Sequence, residues 1–308
     1  MTAVTTPSPI EEGAPPPPPP SSPRGTERSE RRRHPGRAAA IAGSLIIGLY
    51  VFLALFGGRL APFRATELAG RPLQPPGGAH TLGTNLLGQD ILSQLILGAK
   101  ASLTVAVLAG IGTVLLGAIV GVAAGWFPGW PGAVLMRVTD VVLVIPKLPL
   151  LLLMGALTGG SVLGLSIVIS ALFWPVAARI LRSQVLSLRT RTHVKAATGF
   201  GAGSWHQLRR HILPDLSLLS VAELIPAAGR AVGLQAGLAF LGVGDPTEPS
   251  WGAMIRDAVN FRGLFITEAW QWWLLPPVLA LVGLVVGITL LGTAAERKLS
   301  PRVARHQR

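Results

Sequence analysis

The chain has 308 residues, no cysteine and a formal net charge of +13; half of its residues are hydrophobic and only 13% are charged. The missing cysteines exclude disulfides, thiol catalysis and cysteine metal sites. The apolar residues gather in runs that approach or exceed the ~20 needed to cross a bilayer as a helix, so the composition describes a polytopic, all-α membrane protein. The positive charge does not require nucleic acid. Basic residues collect in the N-terminal tail, over 179–210 and at the extreme C-terminus, as cytoplasmic segments do under the positive-inside bias.

Residues 1–37 contain the run Pro15–Pro20 among Ser, Glu and Arg, a composition that buries no core and is expected to be disordered. Arg31–Arg33 and Arg37 then precede an apolar stretch at 38–58. A basic flank of this kind resembles a signal peptide, but the stretch exceeds the ~7–15 residues of a signal h-region, which favours an uncleaved anchor helix. Five further spans are expected near 101–126, 133–157, 160–182, 216–242 and 272–294, six in all. An even count places both termini on one side, and Arg31–Arg37 together with the basic C-terminal tail at 296–308 places that side in the cytoplasm.

Segments 59–100 and 243–271 then face the exterior, although Arg59, Arg64 and Arg71 strain the charge rule. Leu87, Ile91, Leu92, Leu95 and Ile96 recur at helical spacing, as in an interfacial helix before the second span, or equally in a helix packed on its own domain. By parity the basic segment 193–214 is cytoplasmic. Gly199, Gly201 and Gly203 favour a turn in its middle. Ser204 with Gln207 matches a capping box. Trp205, Leu208 and Ile212 share a face, and Pro214 breaks the pattern. The expected product is helix, turn, helix. A DNA reader would present His206, Arg209 and Arg210 to phosphates, but membrane spans flank this segment. A solvated connector would need neither the small Ala196 and Ala197 nor an apolar face, so docking on another protein is the reading adopted.

Catalytic signatures are lacking in the sequence. Lys100, Lys147, Lys195 and Lys298 are followed by Ala, Leu, Ala and Leu, never by the Ser or Thr of a phosphate-binding Walker A loop. G-x-S-x-G and H-E-x-x-H stretches do not occur, and the six histidines lack metal-site spacing. No catalytic residue, metal or cofactor is therefore expected. Arg137, Asp140, Lys147, Glu223 and Arg230 lie within the expected spans, where ionisable groups need partners or water. Arg137 and Asp140 are spaced to pair. Lys147 and the Glu223/Arg230 face either line a translocation path or pair within the assembly.

Ala196-Ala197, Gly201 four residues on, and Ile212-Leu213-Pro214 have the spacing of the "EAA" loop that couples ABC importer permeases to their ATPases; Lys195 stands where that family usually has Glu. From about His80 to Pro301 the chain resembles permeases of the dipeptide/oligopeptide/nickel class, of the DppC/OppC type. Five stretches carry the likeness: Gly83 to Gln94 against G-T-D-x-x-G-R-D-x-x-S-R, Met136 to Asp140, Val185 to Arg189, Ala236 to Gly242, and Pro249 to Gly252. Asn85 replaces Asp, Gln89 and Gln94 replace Arg, and Gln235 replaces a common Glu. The resemblance implies the type I ABC importer permease fold, with a transmembrane domain at 101–295, in a bacterial cell membrane. It implies as partners a second permease like DppB, two ATPase subunits, an external substrate-binding protein and membrane lipid. It also implies import of peptides or related solutes such as nickel chelates. Lys195, Ala196, Ala197, Gly201, Ser204, Trp205, Ile212, Leu213 and Pro214 are the implied coupling residues. The rival from another class is an ion-driven secondary transporter, whose inverted repeats are not evident here.

Overall fold

The computed structural model describes residues 35–127, 129–201 and 203–305. The proline run and the rest of the tail expected to be disordered lie outside them up to residue 34, as do 306–308. Helix α1, Pro35–Leu60, starts three residues before the expected anchor at 38. Proline suits the first helical position because its missing N–H would have no partner there. After an irregular stretch, α2 runs unbroken over Ile91–Trp126, about 54 Å at 1.5 Å per residue against a hydrocarbon core of about 30 Å. The separate interfacial helix expected around 87–96 is not formed. Its apolar residues from Ile91 onward are the first turns of α2, and Ile91 is fully buried.

The expected third span at 133–157 is two helices, α3 (Trp130–Val144) and α4 (Lys147–Leu157), bent by 85°. Pro146 forces the break, because the residue before a proline is driven out of the helical region; Ile145 is extended, with φ −60° and ψ 131°. Helix α5, Val162–Arg189, follows. A short α6, Thr192–Gly199, then precedes α7, Ser204–Gln207, a π-turn at Leu208–Ile212 and the long α8, Leu213–Phe240. Helix α9 covers Trp251–Asn260, and a second π-turn at Trp270–Leu274 opens α10, Leu275–Arg305. Among the described residues five helices are long and apolar enough to span a membrane, and the bent α3–α4 pair makes six if counted as one span. The final stretch expected as a tail from 296 continues α10 as helix to Arg305.

Helices α2 and α5 form the centre of the bundle and run in the same direction. A methyl group added at Gly117 would stand 2.6 Å from Ala177 Cβ, one at Gly125 would stand 2.8 Å from Val185 Cβ, and one at Gly121 would strike the Ala178 carbonyl. Small residues four apart therefore let the two backbones touch, as in close helix pairs in membranes. The Ser170 hydroxyl donates to the Ala109 carbonyl at 3.3 Å across the same contact. Helix α8 packs against both, its Ala231 and Leu238 joining Val105 of α2 and Leu165 and Ile169 of α5 in a buried cluster. Helix α1 rests on α10, tied by Tyr50, whose hydroxyl donates to the Ala280 carbonyl at 2.8 Å.

The α2–α5 contact is tested by Gly121→Leu, expected to cost about 1–3 kcal/mol or more through overpacking against backbone and to lower the thermal unfolding temperature of the purified chain. Gly48→Leu on α1, where an added Cβ meets nothing within 4 Å, is expected to leave it unchanged.

Candidate functional site

Residues 193–214 occupy one end of the bundle. Gly201, with φ +81°, makes the turn between α6 and α7, a conformation that glycine adopts without penalty. Val194 is buried and anchors α6, whereas Lys195 and Ala196 are exposed and Ala197 is half-buried. Leu208 and Ile212 pack with Leu181, Val185 and Leu188 of α5 and with Leu216 of α8. The root of the loop is thus built into the bundle. Its tip is not: Phe200 is 92% and Trp205 68% exposed. Arg209 and Arg210 are exposed too, and Arg191 lies 3.7 Å from Asp215.

Three expectations for this segment need correction. Ser204 is the first helical residue and not the cap; Gly203 is the N-cap and makes no side-chain cap bond. Trp205 leaves the face shared by Leu208 and Ile212 and points to solvent. Pro214 does not end the helix, because the π-turn carries α7 into α8 without a break. The Leu213 amide donates to the Leu208 carbonyl five residues back, and this wider turn admits a proline at the start of α8. Leu213 and Pro214 stay exposed on the loop side.

At the opposite end, Asp90 caps α2. Its carboxylate accepts from the Ser93 amide at 2.8 Å and hydroxyl at 2.7 Å, while its other oxygen lies 2.9 Å from His80 Nδ1. The three replacements Asn85, Gln89 and Gln94 prove to be one cluster. Gln89 Oε1 accepts from Asn85 Nδ2 and from Gln94 Nε2, each at 2.8 Å, and Asn85 Oδ1 accepts from the Leu87 and Gln89 amides. Where the resembled pattern has one acid and two bases, this chain carries three mutually satisfied amides. Gln89 and Gln94 form one wall of a cleft of about 330 Å³; Asp245, Glu248, Arg256 and Asp257 line the other. The Thr247 hydroxyl and amide donate to Asp245 and hold its carboxyl below the usual range.

Among the charged residues of the spans, Asp140 pairs with Arg179 of α5 at 2.6 Å and not with Arg137, as its spacing predicted. An arginine reaching from the neighbouring helix offers a straight approach that the i−3 position lacks. Lys147 Nζ lies 4.8 Å above the Phe173 ring, a cation–π contact within the subunit. Glu223 is half-buried on α8 and Arg230 exposed on it. Gln235 is buried, with its Oε1 3.4 Å from the Ser102 hydroxyl, so the amide avoids placing a carboxylate charge between α2 and α8.

The family model described as "Binding-protein-dependent transport system inner membrane component" matches residues 114–305. The chain belongs to this family. It is 31% identical to the oligopeptide transport system permease protein OppC of Mycobacterium bovis, with 88% of this chain and 92% of that one covered. It is 29% identical to the dipeptide transport system permease protein DppC of Alkalihalophilus pseudofirmus, with 86% of each covered. It is also 29% identical to the glutathione transport system permease protein GsiD of Pectobacterium atrosepticum, with 88% and 90% covered. As a member of the family it is a multi-pass membrane permease component.

Sequence reasoning missed the glycine contact on α2, which the spacing of Gly117, Gly121 and Gly125 announces, and the His80–Asp90 contact, which no spacing signals. The amide cluster is tested by Gln89→Arg, expected to set a cation among amide N–H donors and to cost about 1–3 kcal/mol. Adding Asn85→Asp should recover most of that loss in a double-mutant thermal unfolding cycle.

Proposed function

We propose that the protein is one permease half of an ATP-driven importer of peptides, coupled through 193–214 to separate ATPase subunits. The observation that carries the coupling is the contrast within the loop: an aromatic and basic tip formed by Phe200, Trp205, Lys195, Arg209 and Arg210, on a root that Leu208 and Ile212 lock into α5 and α8. A tip of this composition fits a groove with apolar pockets and acidic rims, and Lys195 in place of the usual Glu points to an acidic residue on its own ATPase. Ala196, Ala197 and the three glycines allow close approach.

In the mechanism, closing of the ATPase pair pushes on α6 and α7. Because the root is packed on α5 and continuous with α8, the push tilts those helices and biases an inward-open against an outward-open state. No covalent chemistry occurs in this chain. Both termini and the 193–214 loop lie in the cytoplasm. The cleft beside Gln89 and Gln94 lies outside, where a substrate-binding protein delivers its cargo. Peptides are the cargo because the relatives are named for dipeptides, oligopeptides and glutathione. Arg230 looks toward the space between this half and a second permease, and the half-buried Glu223 lies two turns before it on α8. Lys147, held on Phe173, takes part in packing at the α3–α4 bend.

The test is a pull-down from native membranes. Wild type should bring an ATPase pair, and Gly201→Asp, which puts a side chain at φ +81° in the docking turn, should lose it at least tenfold. Lys195→Glu should weaken ATPase stimulation; unchanged assembly and stimulation would refute the charge match. Wild type purified under mild conditions with no ATPase would refute the importer reading itself.

A further inference from the structure

We propose that the face of α8 bearing Arg230, Gly233 and Gly237 is where a helix of the second permease packs, and that this helix brings a carboxylate to Arg230. The proposal rests on the two-permease reading above. Arg230 is on the exposed side of α8, ten residues before its end at Phe240, about 15 Å along the axis. That is too deep for its head to reach the interface by snorkelling. Among the described residues it has no ion-pair or hydrogen-bond partner. A guanidinium left so against hydrocarbon is costly, so the face meets something other than lipid.

The shape of the face says what kind of thing it meets. Gly229, Gly233 and Gly237 stand four apart, as Gly117, Gly121 and Gly125 do on α2. On α2 that spacing is filled by α5. On α8 only Gly229 is covered, with an added Cβ falling 3.3 Å from Ile288 Cγ2 of α10, while Cβ atoms at Gly233 and Gly237 would meet nothing within 4 Å. The same three-glycine row for close backbone approach therefore stands on α2, where this chain fills it, and on α8, where this chain leaves it open past Gly229. A passing substrate carboxylate would pair Arg230 but would not need two open glycines beside it.

A second copy does not fit. Two-fold symmetry about the membrane normal sets residues of equal depth opposite each other, and would bring Arg230 against Arg230. The occupant is a different chain, with small residues and an Asp or Glu at mid-depth.

Phe240 ends the same face, 41% exposed, and Phe52 on α1 is 49% exposed, so each can be replaced by p-benzoyl-phenylalanine and irradiated in membranes holding the whole transporter. The expected result is an adduct between position 240 and a different membrane polypeptide, with no protein adduct from position 52. Gly233→Leu and Gly237→Leu should reduce co-purified second permease at least tenfold while leaving the thermal unfolding of this chain unchanged, because their side chains enter open space. Arg230→Met should reduce it more than Arg230→Lys. The proposal is overturned if the second permease co-purifies equally with wild type and both leucine variants, or if position 240 yields an adduct of twice this chain's mass. Wild type that brings no second membrane subunit would overturn the two-permease reading and this proposal with it.

Discussion

Where Gly117, Gly121 and Gly125 let α2 lie on α5, backbone meets backbone and leaves no room for even one methyl group. In a bilayer there is little hydrophobic gain in bringing helices together, so such close packing and the few interhelical hydrogen bonds must hold the bundle. The rest is arranged around this pair. Helix α8 packs on both α2 and α5, α9 closes the end by donating the Trp251 indole N–H to the Leu95 carbonyl at 3.0 Å, and α1 with α10 forms an outer layer. The direction shared by α2 and α5 also fixes the ends: the capped start of α2 lies at the cleft, and the end of α5 leads into the loop at 193–214.

Charge is handled by different means at each depth. At the cleft, the amides of Asn85, Gln89 and Gln94 satisfy one another without net charge. Between α2 and α8, Gln235 faces a hydroxyl where an unpaired carboxylate would be expensive. Asp140 and Arg179 pair between helices, and Lys147 rests on an aromatic face. Arg189 donates to the Gly125 and Trp126 carbonyls, which belong to the last turn of α2 and would otherwise lack partners. These replacements, which looked in the sequence like separate losses of ionic partners, are locally compensated where the structure brings them together.

The loop at 193–214 combines a stiff root with an exposed tip. Because the π-turn joins α7 to α8 without a break, a force on the tip is delivered to a helix of membrane-spanning length and not to a hinge. The same turn resolves the conflict between Pro214 and helical continuity.

Much of the architecture was legible in the amino-acid order, because long apolar runs, basic flanks and glycines act locally: the spans, the turn at Gly201 and the family likeness all follow from neighbours in the chain. The number of crossings depended on how sharply α3 turns into α4, which a proline permits but does not measure. Helix caps and partners were less legible. Spacing put Arg137 with Asp140 and Trp205 with Leu208, whereas Arg179 lies 39 residues from Asp140 and solvent takes Trp205. The sequence by itself determined which segments enter the membrane and where they turn, since hydropathy and backbone stereochemistry are properties of short stretches. Only the tertiary structure decided which of two equally spaced glycine rows is filled and which stays open, since that depends on which helix arrives from elsewhere in the chain.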